Sequence, residues 1–385
     1  LFEGTMIRTY KHRLYPTAEQ EAVMRDILWA GCWLYNRALD YRRRRWYESR
    51  HSVSYYEQAG MWRDWRNEQP EDNPLRVLNM SAGQQVLRRL DSAYREFLKG
   101  KRGRPRFKRR DRFNSVNFKP GDGAALKGRK LYLQNVGLVT VRWHRELPDD
   151  ATLKNIVLLR KPSGWYVLLQ VELPDVEPEP SGKPAVGIDV GIHHALALSD
   201  GTIIDSPRHL EQSLKKLRRL QRRVARRKKG SRGWWWAVGQ VAKQQEHIAN
   251  QRRDWWHKTT TWLTREYGVV VLEDLNLNFM LRNGSLARAA HDVSIGIFRE
   301  MLAYKAVEAG CQIVAVTPAY TSQVCSACGA IVEKKLSERT HRCPHCGFVA
   351  DRDVNAALNI LSAGTRRPGA NVARWGERSL RSFPL

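Results

Sequence analysis

The sequence predicts an α/β core that carries a small cysteine-rich module and follows a helical region and a group of β-strands. Three observations predict it. From residue 185 the apolar patterns run in the order strand, strand, helix, helix, strand, helix, strand, cysteine module and helix. Acidic residues lie at the ends of two apolar strands and at the start of the last helix. Two CxxC pairs lie between the second and third of these acids. Strands alternating with covering helices are typical of an α/β core.

The composition indicates a polyanionic partner. The chain has 385 residues, enough for two or three domains, and its 66 Lys and Arg against 39 Asp and Glu give a net charge of +27. A protein gains affinity for nucleic acid from such charge, because each neutralised phosphate releases a condensed counterion. No apolar run approaches the roughly 18 residues needed to span a bilayer, and no signal peptide is visible. We therefore expect a cytoplasmic protein without a membrane partner.

The N-terminal half divides into a helical region and a strand-rich region. Helical spacing of apolar residues follows Thr17 and again follows Pro74, while Ile156–Arg160 and Trp165–Val171 flank a hairpin turn. The predicted segments are a tag remnant at 1–5, a strand at 6–14, a helical domain at 15–114, strands within 115–175 and a linker at 176–184.

The C-terminal half contains the α/β core. A hairpin is predicted at 185–204 with its turn at Asp200-Gly201, followed by helices at 208–232 and about 237–266. Later elements are a strand at 269–272, a helix at 292–309, a strand at 311–316 and a helix at 350–361. The predicted divisions are an α/β domain at 185–320 and 350–363, a cysteine module at 321–349 and a disordered tail at 364–385.

Three acids are candidate ligands for divalent metal. Asp189 and Glu273 end buried strands, and Asp353 lies where a helix N-terminus favours a carboxylate. Carboxylate oxygens suit Mg²⁺, and pairs of such ions about 3.5–4 Å apart cleave phosphodiesters. Asp274 beside Glu273, or Asp351 two residues before Asp353, could equally be the ligand. Each acid could also be only a turn or cap residue.

The cysteines predict one structural zinc ion. Cys325 and Cys328 form one CxxC pair, and Cys343 and Cys346 form the other. Each pair can form a tight turn that directs two thiolates at one ion, completing a closed tetrahedral Cys₄ site. Gly329 and Gly347 follow the pairs, where such a turn needs a positive φ. His341 and His345 are competing ligands, and two disulfides are the alternative in an oxidising compartment.

Three basic clusters predict a nucleic-acid surface, at Arg42–Arg45, 98–112 and 208–232. Tryptophans at 234–236 and 255–256 lie beside basic residues, where they could stack on bases or simply pack between helices. The residues predicted to contact nucleic acid are Arg42, Arg43, Arg104, Arg106, Lys108, Arg109, Arg222, Arg223, Arg226, Arg227, Arg252 and Lys258.

Long, ordered motifs across residues 6–362 resemble those of the TnpB family, the RNA-guided nucleases of insertion-sequence transposons, related to compact type V CRISPR effectors. The tryptophan clusters are richer than the family pattern, and 281–292 matches it less well. The motifs are RLYPTAEQ, CWLYNRAL, GRPRFKRR, GIDVGIHHALALSDG, ARRKKGSRG, NQRRDWWHKTT, VLEDLNLNFM, PAYTSQVCSACG, CPHCG and DRDVNAALNI.

The resemblance implies an RNase H-like (RuvC) core with an inserted Cys₄ zinc finger. It implies a helical recognition domain at 15–114 and a β-barrel-like wedge domain from 6–14 and 115–175. The RuvC acids fall on Asp189, Glu273 and Asp353, which favours Asp353 over Asp351, and they would hold two Mg²⁺ ions.

The same resemblance implies an RNA-guided DNA endonuclease of the prokaryotic cytoplasm. One chain would bind one noncoding guide RNA made from the transposon end. The target would be double-stranded DNA beside a short transposon-associated motif, with one strand displaced. A nuclease-inactive RNA-guided regulator and a DNA strand-transfer transposase are the alternatives.

Overall fold

The computed structural model describes residues 6–70, 73–174, 181–274, 292–318, 321–335 and 338–365. The chain divides near residue 175 into two compact units. The expectations for residues 1–5, for most of the linker and for the tail beyond 365 fall outside the described residues and stay predictions. None of the helices in the described ranges is both long and apolar enough to cross a membrane.

Within its described residues, the first unit has seven strands and three α-helices, with short 3₁₀ turns at Pro74–Val77 and Arg110–Arg112. The strands are β1 (Met6–Tyr15), β2 (Ser115–Pro120), β3 (Gly123–Lys127), β4 (Lys130–Leu133), β5 (Gly137–Arg142), β6 (Thr152–Lys161) and β7 (Gly164–Leu173). The helices are α1 (Ala18–Ser49), α2 (Tyr55–Asn67) and α3 (Met80–Leu98).

The seven strands close into a barrel in the order β1-β5-β4-β3-β2-β6-β7. β1 completes the barrel because it pairs antiparallel with β7, from Met6 opposite Leu173 to Leu14 opposite Trp165, and also with β5. A closed barrel leaves no unpaired edge strand. The predicted association of strand 6–14 with the strands after 115 in a β-barrel is confirmed.

The three helices share one hydrophobic core with the barrel, including Leu34 and Trp62 from helices and Phe118 and Leu169 from strands. α1 begins directly after the predicted Thr17, whose side chain caps the helix. The sequence prediction missed α2, although Ser54 and Glu57 form a capping box at its start. The S-x-x-E pattern was the signal for this helix.

The described residues of the second unit form a five-stranded sheet, four helices and a two-stranded ribbon. Its strands are β8 (Ala185–Asp189), β9 (Leu196–Leu198), β10 (Ile203–Ile204), β11 (Val269–Glu273), β12 (Gln312–Val316), β13 (Thr340–Arg342) and β14 (Val349–Asp351). Its helices are α4 (His209–Ala225), α5 (Arg232–Glu266), α6 (Ile295–Ala309) and α7 (Arg352–Thr365).

The sheet order is β10-β9-β8-β11-β12, in which β8, β11 and β12 are parallel and β9 and β10 are antiparallel additions. Val270 and Leu272 of β11 pack in a core with residues of α5 and α6. Val271 packs with Ile360 of α7 in a separate core. Helices therefore cover both faces, and α7 alone among the described helices lies on the Val271 face.

Three predicted boundaries are corrected. The Asp200-Gly201 turn joins β9 to β10 rather than β8 to β9. The helix predicted over 292–309 is interrupted by a turn at Ser294, after which α6 begins at Ile295. The helix predicted from residue 350 begins at Arg352, because Val349–Asp351 pairs with Thr340–Arg342 as a strand before the helix starts.

Candidate active site and zinc site

Asp189 and Glu273 leave the sheet side by side on one face. Val270 and Leu272 point to the α5 and α6 side, so alternation along the strand directs Glu273 to the α7 side. The same alternation in β8 places Asp189 on that side, because Ile188 belongs to the opposite core. Leu272 pairs with Ile188 in parallel register, so the next residues, Glu273 and Asp189, are neighbours about 5 Å apart between strands.

Asp353 reaches the same place from the first turn of α7. This helix packs closely against β8 because Gly187 has no side chain. A Cβ atom there would lie 2.2 Å from the carbonyl oxygen of Ala357 and 2.5 Å from the amide nitrogen of Leu361. The glycine of the GID motif thus permits the approach that brings Asp353 to Asp189.

The structure separates the roles of Asp351 and Asp353. The Oδ1 atom of Asp351 accepts hydrogen bonds from the backbone amides of Asp353 at 2.7 Å and Val354 at 3.4 Å. Asp351 therefore caps α7 in the manner typical of an aspartate at a helix N-terminus. The carboxylate of Asp353 accepts a hydrogen bond from Arg339.

Glu273 is 8% exposed, whereas Asp274 is an exposed residue. The hydroxyl of Thr321 donates to Oε1 of Glu273, and Arg299 donates to its backbone carbonyl at 2.9 Å. Burial raises the pKa of Glu273, although Thr321 and Arg299 act in the opposite direction. The buried, oriented carboxylate is thus Glu273 rather than its neighbour.

The carboxylate of Asp189 is repelled by the other two acids. Burial, together with repulsion from Asp353 and Glu273, raises the pKa of Asp189 to about 7. Arg339 and Arg352 oppose this rise. A carboxyl pKa raised by burial and by neighbouring carboxylates is characteristic of functional acidic sites. The arrangement can bind a cation that removes the repulsion.

The four cysteines meet at one point. All four sulfur atoms lie within 4.8 Å of one another, with Cys325 and Cys346 3.7 Å apart and Cys328 and Cys343 3.6 Å apart. A tetrahedral ion with metal–sulfur bonds of about 2.3 Å separates its thiolates by about 3.8 Å. Disulfides need about 2.05 Å, so this geometry fits zinc and excludes the disulfide alternative.

Each CxxC pair forms the same turn. The backbone amide of Gly329 donates to the carbonyl oxygen of Cys325 at 2.9 Å, and that of Gly347 donates to the carbonyl oxygen of Cys343 at 3.0 Å. Both glycines adopt the predicted positive φ, at 78° and 76°. Among the described residues, the metal-binding group around these cysteines includes neither His341 nor His345. The site is therefore a closed Cys₄ set.

Side chains from α7 attach the cysteine module to the acids. Asn355 accepts from the amide of Ser326 at 3.0 Å and donates to the carbonyl of Val324 at 2.8 Å. Asn359 donates to the carbonyls of Thr321 and Val324. Sequence reasoning did not identify the parts played by these asparagines, Thr321 or Arg339, because their partners are distant in sequence.

Two of the predicted nucleic-acid contacts, Arg42 and Arg252, have guanidinium groups that bind protein partners. Arg42 is buried and donates to Gln58 at 2.7 Å and to Asp91 at 3.0 Å, so its guanidinium is used inside the first unit. Arg252 forms an ion pair with Asp292 at 2.9 Å with only 17% of its side chain exposed. A guanidinium enclosed by protein partners has little surface left for a phosphate.

Arg43 is an intermediate case. Its Nη2 atom donates to the carbonyl of Pro105 at 2.8 Å, and its guanidinium lies 4.7 Å from the centre of the Phe107 ring. Lys108 lines a pocket of about 470 Å³ together with Trp29, Trp33 and Phe107. The remaining predicted contacts are exposed: Arg104, Arg106, Lys108, Arg109, Arg222, Arg223, Arg226, Arg227 and Lys258.

Some of the tryptophans pack between helices, and others lie on the surface, where they could stack on bases. Trp256 is fully buried, packs on Phe298 and donates to the carbonyl of Val293 at 2.6 Å, so it is a core residue. Trp235 and Trp236 are 45% and 52% exposed. The guanidinium of Arg227 lies 5.2 Å from the centre of the Trp236 ring, which places an aromatic face and cations on one surface.

Comparison with protein families places these elements in a known group. Residues 6–51 match a model described as a helix-turn-helix domain, residues 168–284 match one described as a probable transposase, and residues 296–360 match one described as a Cas12f1-like TNB domain. The last match covers the cysteine module and Asp353.

Two curated relatives match almost the whole chain. A "Putative RNA-guided DNA endonuclease" of Streptomyces pristinaespiralis is 34% identical, covering 98% of this chain and 96% of that protein. "Putative RNA-guided DNA endonuclease InsQ" of Escherichia coli is 31% identical, covering 93% and 92%. A solved structure titled "Cryo-EM structure of the Cas12f1-sgRNA-target DNA complex" shares the fold, with a TM-score of 0.58 at 15% identity, covering 92% of this chain and 98% of that one. The chain belongs to the TnpB family.

Proposed function

We propose that this chain is an RNA-guided DNA endonuclease whose cleavage site consists of Asp189, Glu273 and Asp353. The convergence of these carboxylates on one face of the sheet is the observation that carries the proposal. Near-full-length similarity to relatives named as RNA-guided DNA endonucleases supports the activity. The mixed sheet with α7 crossing it beside the acids fits an RNase H-like (RuvC) core.

The donor set fits Mg²⁺, because three carboxylates supply hard oxygen ligands and a divalent cation would relieve the repulsion of Asp189 by Asp353 and Glu273. Two bound Mg²⁺ ions would activate a water molecule and stabilise the leaving oxygen of the phosphodiester. Thr321 orients Glu273, and Asp351 fixes the helix start that carries Asp353. Arg339 provides a positive charge at the acids, where the scissile phosphate would lie.

The structural zinc ion would be held by Cys325, Cys328, Cys343 and Cys346. Because Asn355 and Asn359 bind the backbone beside the first CxxC pair, zinc would stabilise the segment that carries Thr321. We assign residues 321–349 to the zinc finger, residues 15–114 to guide and target recognition, and the barrel to the wedge domain.

Nucleic-acid binding would use exposed cations. A noncoding RNA from the transposon end would supply sequence specificity by pairing with the target strand, while the protein recognises duplex shape and a short flanking motif. The exposed arginines of α4, with Trp235 and Trp236 nearby in sequence on α5, suit a nucleic-acid backbone with unpaired bases. One chain would bind one guide RNA, and the displaced strand and the target strand would be cut at one site.

The test compares Glu273→Gln with Asp274→Asn in the complex with the RNA that co-purifies with the protein. A guide-matched DNA duplex is incubated with Mg²⁺, and strand cleavage is measured on a gel. Loss of a metal-binding carboxylate that contributes about 4 kcal/mol to transition-state stabilisation would reduce cleavage about a thousandfold. Asp274→Asn should retain cleavage, because that side chain is exposed and lies on the other face.

Both variants should bind the RNA as the parent does, since neither carboxylate is part of the basic surface. Undiminished cleavage by Glu273→Gln would refute the assignment of the acids. A parent complex that binds matched DNA without cutting it would indicate a regulator instead. Joined DNA ends formed without RNA would indicate strand transfer. Sequencing the co-purified RNA should reveal one defined transcript.

A further inference from the structure

Two histidines that follow β8, His193 and His194, lie beside the acidic cluster. His193 and His194 each offer a ring nitrogen that, with a carboxylate oxygen of Asp353, forms a group whose three ligand atoms lie within 4.8 Å of one another. The loop is short, because Gly191 donates back to the carbonyl of Ala195 at 3.4 Å. The histidines are therefore held close to the end of the strand that carries Asp189.

His194 is arranged as metal-binding histidines usually are. Its Nδ1 atom lies 2.6 Å from Oδ1 of Asp205, and its side chain is 16% exposed. A carboxylate behind Nδ1 fixes the orientation of the ring and leaves Nε2 as the free ligand atom. The ring of His193 lies 4.3 Å away, edge to face with that of His194. Arg339 donates to the Oδ2 atom of Asp353, on the carboxylate that faces the two rings.

The size of the group suits a first-row divalent ion. Bonds of about 2.0–2.2 Å to nitrogen and oxygen place opposite ligands up to about 4.4 Å apart, so small side-chain rotations bring all three atoms onto one ion. Imidazole ligands favour first-row transition metals, whereas Mg²⁺ prefers an all-oxygen shell. A metal position lined by two imidazoles and a carboxylate should therefore bind a first-row transition-metal ion in preference to Mg²⁺.

We infer that His193, His194 and Asp353 form a mixed imidazole–carboxylate site that binds a first-row transition-metal ion, of which Mn²⁺ is the probe, at one position of the acidic cluster. This inference rests on the proposed function, because it names the metal class for that site. It assigns His194 and His193 as ligands and Asp205 as a positioning residue behind His194.

The test uses pulsed electron paramagnetic resonance of Mn²⁺ bound to the full chain with its zinc retained. The parent should show hyperfine coupling from imidazole ¹⁴N. The double variant His193→Ala/His194→Ala should lose that coupling and bind Mn²⁺ about tenfold or more weakly. His247→Ala, which removes an exposed histidine on α5 of the same unit, should keep both the coupling and the affinity.

Mn²⁺ bound without nitrogen coupling in the parent, or coupling that persists in the double variant, would overturn the inference. Zinc content measured on each variant verifies that the unit remains folded. Cleavage is recorded separately with Mg²⁺ and with Mn²⁺. If the parent cuts guide-matched DNA but shows no nitrogen coupling, only the assignment of His193 and His194 as metal ligands is refuted. Nitrogen coupling without any cleavage refutes only the nuclease proposal.

Discussion

Replacing Asp189 with asparagine should stabilise the metal-free protein while abolishing cleavage. The pKa of this carboxyl is raised from 3.8 to about 7 by burial and by repulsion from Asp353 and Glu273. The folded chain therefore holds the proton more tightly than the unfolded chain does. Ionising Asp189 destabilises the fold as pH rises from about 4 to about 7, and the full cost is present above pH 7.

The magnitude follows from the pKa shift. A rise of about three pKa units at 1.36 kcal/mol each sets an upper limit of about 4 kcal/mol at pH 8. Water that reaches this half-buried carboxyl reduces the expected gain of Asp189→Asn to about 2 kcal/mol. At pH 5 the gain should be smaller, because the folded parent is largely protonated there.

The assay is urea unfolding followed by tryptophan fluorescence at pH 5 and pH 8, in buffer without added divalent cations. Strong chelators are avoided because they would remove zinc from the cysteines. Asp200→Asn is the matched control. Burial raises the pKa of Asp200, but hydrogen bonds from the hydroxyl of Tyr267, at 2.5 Å, and from Thr202 lower it overall.

The stability of the control, Asp200→Asn, should fall at pH 8, where that of Asp189→Asn should rise. Stability from Asp200 is present above the unfolded pKa of about 4 and is lost as pH falls through its lowered folded pKa. Asp200→Asn should therefore weaken the fold at pH 8. Mg²⁺ should reduce the difference in free energy of unfolding between the parent and Asp189→Asn, because a bound cation would cancel the repulsion of the Asp189 carboxylate in the parent. An Asp189→Asn protein that is no more stable than the parent at pH 8 would refute the electrostatic reasoning.

Three further predictions concern zinc, charge and packing. Cys343→Ser should lower the zinc content from about one ion per chain and loosen the C-terminal part of the second unit, measured by elemental analysis and hydrogen exchange. Retained zinc would contradict the Cys₄ site. Arg226→Gln removes an exposed cation and should reduce the slope of log K for RNA binding against log salt concentration by about one unit. Arg42→Met removes a buried, paired cation, so it should leave that slope unchanged and lower the free energy of unfolding by about 2 kcal/mol. If both variants showed the same salt-dependence slope, the exposed arginines would not be the residues that contact RNA. Gly187→Ala should displace α7, lower stability by about 2 kcal/mol or more and reduce cleavage, while Gly296→Ala, which meets no atom within 4 Å, should do neither. Normal cleavage by Gly187→Ala would show that Asp353 does not depend on this contact.

Much of the candidate site could be predicted because its signals are local. The CxxC spacing and the following glycines determine the geometry of each turn without help from the rest of the chain. Strand alternation places Glu273, and not Asp274, on the face of Asp189, provided the buried face of the strand is known. These patterns depend on periods of two to four residues, which sequence displays directly.

What could not be predicted depends on partners distant in sequence. Arg42 lies in a run of arginines typical of an exposed surface, but Asp91, 49 residues away, and Gln58 hold it inside the fold. Asp351 and Asp353 are the same residue type two positions apart, and only the position where α7 begins makes one a cap. Residue type gives the charge of a side chain, whereas tertiary packing decides where that charge points.

The cysteine module contacts the acids directly, which a module that only stabilised the fold would not need to do. Thr321 precedes the first CxxC pair and donates to Glu273, while Arg339 precedes the second pair and contacts Asp353. Asn359 binds the backbone of Thr321 from the helix that carries Asp353. Two of the three carboxylates are thus oriented by residues whose positions depend on the cysteine module. Zinc loss should therefore reduce cleavage by misplacing those carboxylates even in molecules whose sheet remains folded.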